Sequence, residues 1–148
     1  MRAVVCKAFC EPEDLSVEEV PSPQLGAGQV RIAVDAAGVN FADTLIIAGK
    51  YQNKVPPPFI PGFEVAGRVL DCAADVPSFR RGQRVMAVVD HGGFAEEVVA
   101  PAAQVFALAA SVPAVVAAGF PIAYGTSHLG LAYRARLKAG ETLLVHGA

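Results

Sequence analysis

The feature that most limits how this chain can fold is a succession of short apolar segments, separated by turns and loops rich in proline and glycine. Ala3–Phe9, Leu15–Val20, Gln29–Ala36, Val65–Asp71, Arg84–Val89 and Phe94–Ala100 read as strands. In the third, Val30, Ile32 and Val34 alternate with Arg31, Ala33 and Asp35, the period of two that marks a strand with one buried face. Pro21-Ser22-Pro23 and Gly26-Ala27-Gly28 punctuate the connections. Short strands at close spacing predict a small β-barrel or sandwich.

Composition narrows the class further. The 148 residues are 53% apolar with a formal charge of −2, which is enough for one substantial core. Proline, glycine and charged residues interrupt every apolar stretch before the roughly 20 residues needed to span a bilayer. The 12 basic residues are scattered and offset by 14 acids, which speaks against a nucleic-acid footprint. Met1-Arg2-Ala3-Val4-Val5 leads into a strand with no apolar signal region, so a cytoplasmic location is expected. Cys6 and Cys10 lie four apart in what reads as an extended strand, about 13 Å from each other. A disulfide needs Cα atoms within roughly 7 Å, so these two, with Cys72, read as small buried hydrophobes in a reducing compartment.

Gly38–Gly67 carries the chemistry-bearing residues. Asn40 suits the N-cap of a short helix, and Asp43, three residues on, can reach back as a short-armed capping box. Phe41, Leu45 and Ala48 share a face of that helix, and Gly49 closes it. Capping alone accounts for both polar residues. Glu64 follows the tight Pro61-Gly62 turn and reads as a buried, hydrogen-bonded structural acid ahead of a catalytic one. His91, beside Gly92-Gly93, reads as an exposed turn residue, and His128 and His146 have no partner at metal-ligand spacing.

After about Leu108 the texture becomes helical. Ser111 is a good N-cap, with Pro113 just inside and Ala114–Ala118 continuing as helix. Pro121–Arg136 reads as a second helix, with Ile122, Leu129 and Tyr133 on one stripe. Glu141–His146 contains Leu143-Leu144-Val145, a continuous apolar run typical of a strand buried on both faces of a parallel sheet.

The runs GVNFADTLIIAGKY and PGFEVAGRV, with Gly92-Gly93-Phe94-Ala95-Glu96, Tyr124-Gly125-Thr126 and the final Ala139–Ala148, resemble the medium-chain dehydrogenase/reductase superfamily. The zinc-free NADPH:quinone oxidoreductase branch, relatives of zeta-crystallin, is the part they resemble most. That resemblance implies a mainly β fold with helices. A GroES-like, partly open barrel over residues 1–110 would be the substrate domain. Residues 111–148 would be linker helices and the first strand of a truncated Rossmann domain. In the family a glycine-rich turn after such a strand holds the cofactor's pyrophosphate. With Gly147-Ala148 the chain reaches only the start of such a turn, and a βαβ unit needs about 30 residues or more in all. A truncated chain or a domain cut from a longer protein is therefore expected, with most of the NADPH-binding loop absent.

The resemblance also assigns roles. Zinc-dependent relatives have cysteine and histidine where this chain has Asn40 and Phe63, so no zinc site is expected. Asn40 would hydrogen-bond cofactor or substrate at the nicotinamide end of the cleft. Thr126 would contact the nicotinamide, and Tyr51 would donate its hydroxyl to a carbonyl gaining charge. Their ordinary readings are a cap, a helical hydroxyl bonding a carbonyl one turn back, and an amphipathic loop residue. Leu45 stands where many members have a second pocket tyrosine. The activity implied is hydride transfer from NADPH to a quinone or an activated alkene. A zinc-free enoyl-thioester reductase and a non-catalytic GroES-like binding module are the alternatives. A small-molecule substrate and a homodimer are the partners expected.

Overall fold

The computed structural model describes residues 1–146. Among these residues seven strands form two antiparallel groups. β1 (Arg2–Val5) pairs with β2 (Ser16–Glu19), and a five-stranded sheet runs in the order β6 (Glu97–Pro101), β3 (Gln29–Gly38), β4 (Glu64–Cys72), β5 (Arg84–Val88), β7 (Val105–Ala107). Isolated bridges, Ala3 to Ala95 and Cys6 to Phe59, tie the β1–β2 ribbon to the larger sheet and its loops. The result is mainly β, a curled half-barrel.

The alternation seen in the sequence fills its interior. Val30 and Ile32 of β3 meet Val65 and Val69 of β4, Val85 and Ala87 of β5, Val98 and Ala100 of β6, and Val105. Each fully buried aliphatic side chain of this size contributes about 1.5–3 kcal/mol. β3 and β4 shift register between Val34 and Ala36, and Gly67 lies opposite. A Cβ at Gly67 would drive into the Ala33 carbonyl, so only glycine lets the strands close at this bulge.

α1 (Phe41–Ile47) crosses the end of the barrel. Its buried face is Asp43, Ile46 and Ile47, not the expected Phe41, Leu45 and Ala48, and Phe41 is 77% exposed. Positions 43, 46 and 47 make a helical stripe as good as the apolar one. It wins because the Asp43 carboxylate finds backbone donors in the interior. Gly49 closes the helix at φ 67°, as expected.

The remaining elements differ from expectation in instructive ways. β1 stops at Val5, and the chain bends through Lys7–Phe9 instead of running straight to Cys10. β7 is three residues long, too short for any periodicity to announce it. α2 (Ala114–Ala118) begins after Pro113, which holds the cap position that Ser111 was expected to fill. The second helix splits into α3 (Pro121–His128) and a π-helical turn, Leu129–Arg134. Glu141–His146 pairs with nothing among the described residues, and Leu144 is 75% exposed. A strand buried on both faces exists only between neighbours, and none flanks this segment among the described residues.

Candidate active site at the barrel rim

The β3–β4 ladder puts Gly38 opposite Glu64, which brings Asn40, two residues past the strand, over the first residue of β4. Glu64 is 1% exposed and fully engaged. Its Oε1 accepts from Asn40 Nδ2 at 2.9 Å, and its Oε2 accepts from the Ile122 backbone N–H at 2.8 Å. Ile122 lies in the first turn of α3, whose leading N–H groups have no partner within the helix. A carboxylate there satisfies one of them and complements the helix dipole. Glu64 therefore clasps the barrel to α3.

Small residues make the clasp possible. A Cβ at Gly38 would strike the Glu64 carboxylate and sit 2.5 Å from the Ala118 carbonyl. Ala117 and Ala118 of α2 lie against Ala66, with Ala36 and Met86 alongside, so α2 packs tightly onto the sheet just before α3 begins. Arg84 adds a second tie, donating to the carbonyls of Ala109 at 2.9 Å, Ala110 at 2.8 Å and Val112.

Asp43 does what a capping box requires and more. Its Oδ2 accepts from the Asn40 backbone N–H at 2.7 Å, and its Oδ1 accepts from Gly62 N–H at 3.1 Å. Burial pushes its carboxyl above the ordinary range, the two N–H donors hold it back, and the nearby Glu64 raises it further. Gly62, at φ 101°, adopts a left-handed conformation and packs against Phe94. The Pro61-Gly62 turn thus fixes Phe63 and Glu64 in place.

These bonds decide how Asn40 faces the rim. A carboxylate can only accept, so the amide turns its NH₂ to Glu64 and leaves Oδ1 as an acceptor. Thr126 is exposed on α3, four residues after Ile122 and so on the same helix face. Tyr51 is half-buried, its ring 5.5 Å from that of Phe63, and it stands outside the Asn40–Glu64 hydrogen bonds. The structure thus connects Asn40 to the helix carrying Thr126 through Glu64. Tyr51 is linked only by ring packing on Phe63. Gly147-Ala148, where a pyrophosphate-binding turn is expected to open, lie outside the described residues. Among the described residues, no three His, Cys, Asp or Glu side chains gather around a common point. No helix described is long and apolar enough to cross a membrane. An apolar cleft of about 650 Å³ runs beside Phe59, past Val55, Ile60 and His91, and none of Asn40, Tyr51 and Thr126 lines it.

Comparison with known proteins agrees with this architecture. The family described as the alcohol dehydrogenase GroES-like domain matches residues 26–110. The chain belongs to that family, and several proteins similar to it are named quinone oxidoreductase or quinone oxidoreductase-like. A quinone oxidoreductase-like protein 2 homolog of Nematostella vectensis is 42% identical over 99% of this chain and 40% of its own length. Among solved structures, the human synaptic vesicle membrane protein VAT-1 homolog-like protein is 33% identical with a TM-score of 0.90, covering 93% of this chain and 45% of that one. The quinone oxidoreductase of Thermus thermophilus, determined also with NADPH, is 36% identical with a TM-score of 0.82, covering 95% of this chain and 43% of that one. The chain thus spans less than half the length of these relatives.

Proposed function

We propose that this chain is the substrate-side part of an NADPH-dependent quinone oxidoreductase that works without zinc. The observation that carries this reading is the Glu64 clasp, which fixes the Asn40 amide at the barrel rim with its NH₂ turned to Glu64 and its Oδ1 as the acceptor. That donor and acceptor set fits the nicotinamide end of the cofactor. Asn40 Oδ1 can accept from a carboxamide N–H, and the exposed Thr126 hydroxyl can donate to or accept from the same group. NADPH, when bound, supplies the hydride.

The chain's own residues position and neutralise. Asn40 orients a polar group and Thr126 adds a second contact from α3. Tyr51 offers a hydroxyl from a half-buried ring to an oxygen that gains charge. Each Glu64 oxygen is committed to a hydrogen bond, and neither Phe63 nor the Asn40 NH₂ offers a lone pair to a metal.

The test joins this chain to a nucleotide-binding half and compares NADPH-driven turnover of benzoquinone and crotonyl-CoA. Preferential quinone turnover, with kcat/KM lowered about 10- to 100-fold by Asn40→Ala, is the expected result. Preference for the thioester would identify an enoyl reductase instead. Turnover indifferent to Asn40 would overturn the role given to the clasp.

A further inference from the structure

Cys6 and Cys10 stand outside the catalytic reading, and the structure brings them together. β1 ends at Val5, and the bend through Lys7–Phe9 folds the chain back on itself. Cys6 is anchored on one side by a bridge to Phe59, with N–H to carbonyl distances of 2.8 and 3.1 Å. Cys10 is anchored on the other by its N–H, which donates to the Ile47 carbonyl at 3.1 Å. The Cys6 thiol donates to the Ala8 carbonyl at 3.1 Å and reaches that same Ile47 carbonyl at 3.9 Å, and Cys10 packs against the cluster that holds Cys6. Both sulfurs belong to the small core cluster that includes Ile46, Ile47 and Tyr51.

Their exposures differ in a useful way. Cys6 is fully buried, whereas Cys10 lines an open cavity of about 290 Å³ with Phe9, Glu11, Asp14, Ala48 and Lys50. Two adjacent thiols, one reached from solvent and one held behind it, form the arrangement of an attacking and a resolving cysteine.

We propose that Cys6 and Cys10 are a reversible redox pair, oxidised by hydroperoxides to an intramolecular disulfide across the Lys7–Phe9 bend. In the first step Cys10 sulfur attacks the distal oxygen of the hydroperoxide. An S–O bond forms, the O–O bond breaks, and the departing alkoxide takes up the thiol proton as an alcohol. Cys6 sulfur then attacks the Cys10 sulfenic acid. The S–S bond forms, the S–OH bond breaks, and hydroxide leaves with the Cys6 proton as water. Two electrons pass from the two thiols to the peroxide, and a small dithiol reverses the change by exchange. Burial and the neighbouring Cys10 push the Cys6 thiol up to about 11, so Cys6 stays protonated and leaves the first attack to the solvent-reached Cys10.

The experiment treats the chain with tert-butyl hydroperoxide, alkylates the remaining thiols and maps the peptides by mass. Expected is loss of both Cys6 and Cys10 as free thiols in one linked peptide, with Cys72 still alkylated and full recovery after dithiothreitol. Cys6→Ser is expected to stop at a sulfenic acid on Cys10 that dimedone traps, and Cys10→Ser to yield neither product. Binding of phenylarsine oxide by the unmutated chain, one arsenic across the two sulfurs, checks their proximity without relying on either variant. Oxidation of Cys72 before Cys10, a cross-link only between chains, or failure to bind the arsenical would each overturn the proposal.

Discussion

The two ends of this chain have similarly apolar sequences and opposite fates. From β1 to β7, alternating aliphatics point into a shared interior, and Val30, Ile32, Val65 and Val85 are wholly buried. From Val115 onward most apolar residues stay at the surface: Tyr124 is 64% and Tyr133 68% exposed, and α3 buries no residue. What holds the second region to the first is a small alanine-lined contact and a few directed hydrogen bonds. Glu64 caps α3, Arg84 holds the carbonyls leading to α2, and the alanine face of α2 permits the close approach. Hydrophobicity made the barrel, whereas a few directed hydrogen bonds placed the helices beside it.

That contrast can be broken from either side. Ile32→Ala is expected to have the largest effect, about 2–5 kcal/mol of stability, because it leaves a cavity among residues that cannot collapse onto it. Urea unfolding followed by far-UV circular dichroism measures it. Glu64→Gln comes next, at about 1–3 kcal/mol by the same assay. A glutamine amide offers one acceptor where two donors wait, so either Asn40 or Ile122 loses its partner. A smaller and pH-dependent effect belongs to Cys6. Its thiol is raised from 9.0 to about 11 in the fold, mainly by burial, so the unfolded chain ionises first as pH rises. The stability it contributes is complete below pH 9 and is lost as pH climbs through about 11. Unfolding midpoints across that window are expected to fall more steeply for the native chain than for Cys6→Ala. Smallest is Leu144→Ala, within about 0.5 kcal/mol, since the side chain is already 75% exposed.

The sequence revealed the barrel where its pattern was repetitive. Strands β3, β4 and β5 match their expected ranges to within two residues, because alternation with one face inward has a single physical solution. Glu64 is also legible as a buried acid, since it follows the tight Pro61-Gly62 turn. Other features depended on partners distant in the chain. The inward face of α1 turned on the Gly62 N–H waiting for Asp43, which no helical period records. The Cys6–Cys10 separation rested on a strand continuing past Val5, and the Phe59 bridge marks where it ends. Leu143–Val145 has the composition of a central strand, but composition supplies no neighbours. Asn40 reads from the sequence both as a cap and, by resemblance, as a site residue. The structure shows Asp43 accepting from the Asn40 backbone N–H, while Glu64 holds the Asn40 side chain. That second bond joins positions 24 residues apart and could not be read from local spacing.

The central claim is that Glu64 joins the barrel to α3 and so sets the Asn40 amide. Amide hydrogen exchange at Ile122, followed by NMR in the native chain and in Glu64→Gln, tests it most directly. The account predicts a protected Ile122 N–H in the native chain that exchanges faster in the variant, along with a shifted Asn40 side-chain amide, while Val65 and Val85 in the sheet keep their protection. Equal exchange at Ile122 in both proteins would contradict it and would leave the helices held by packing alone.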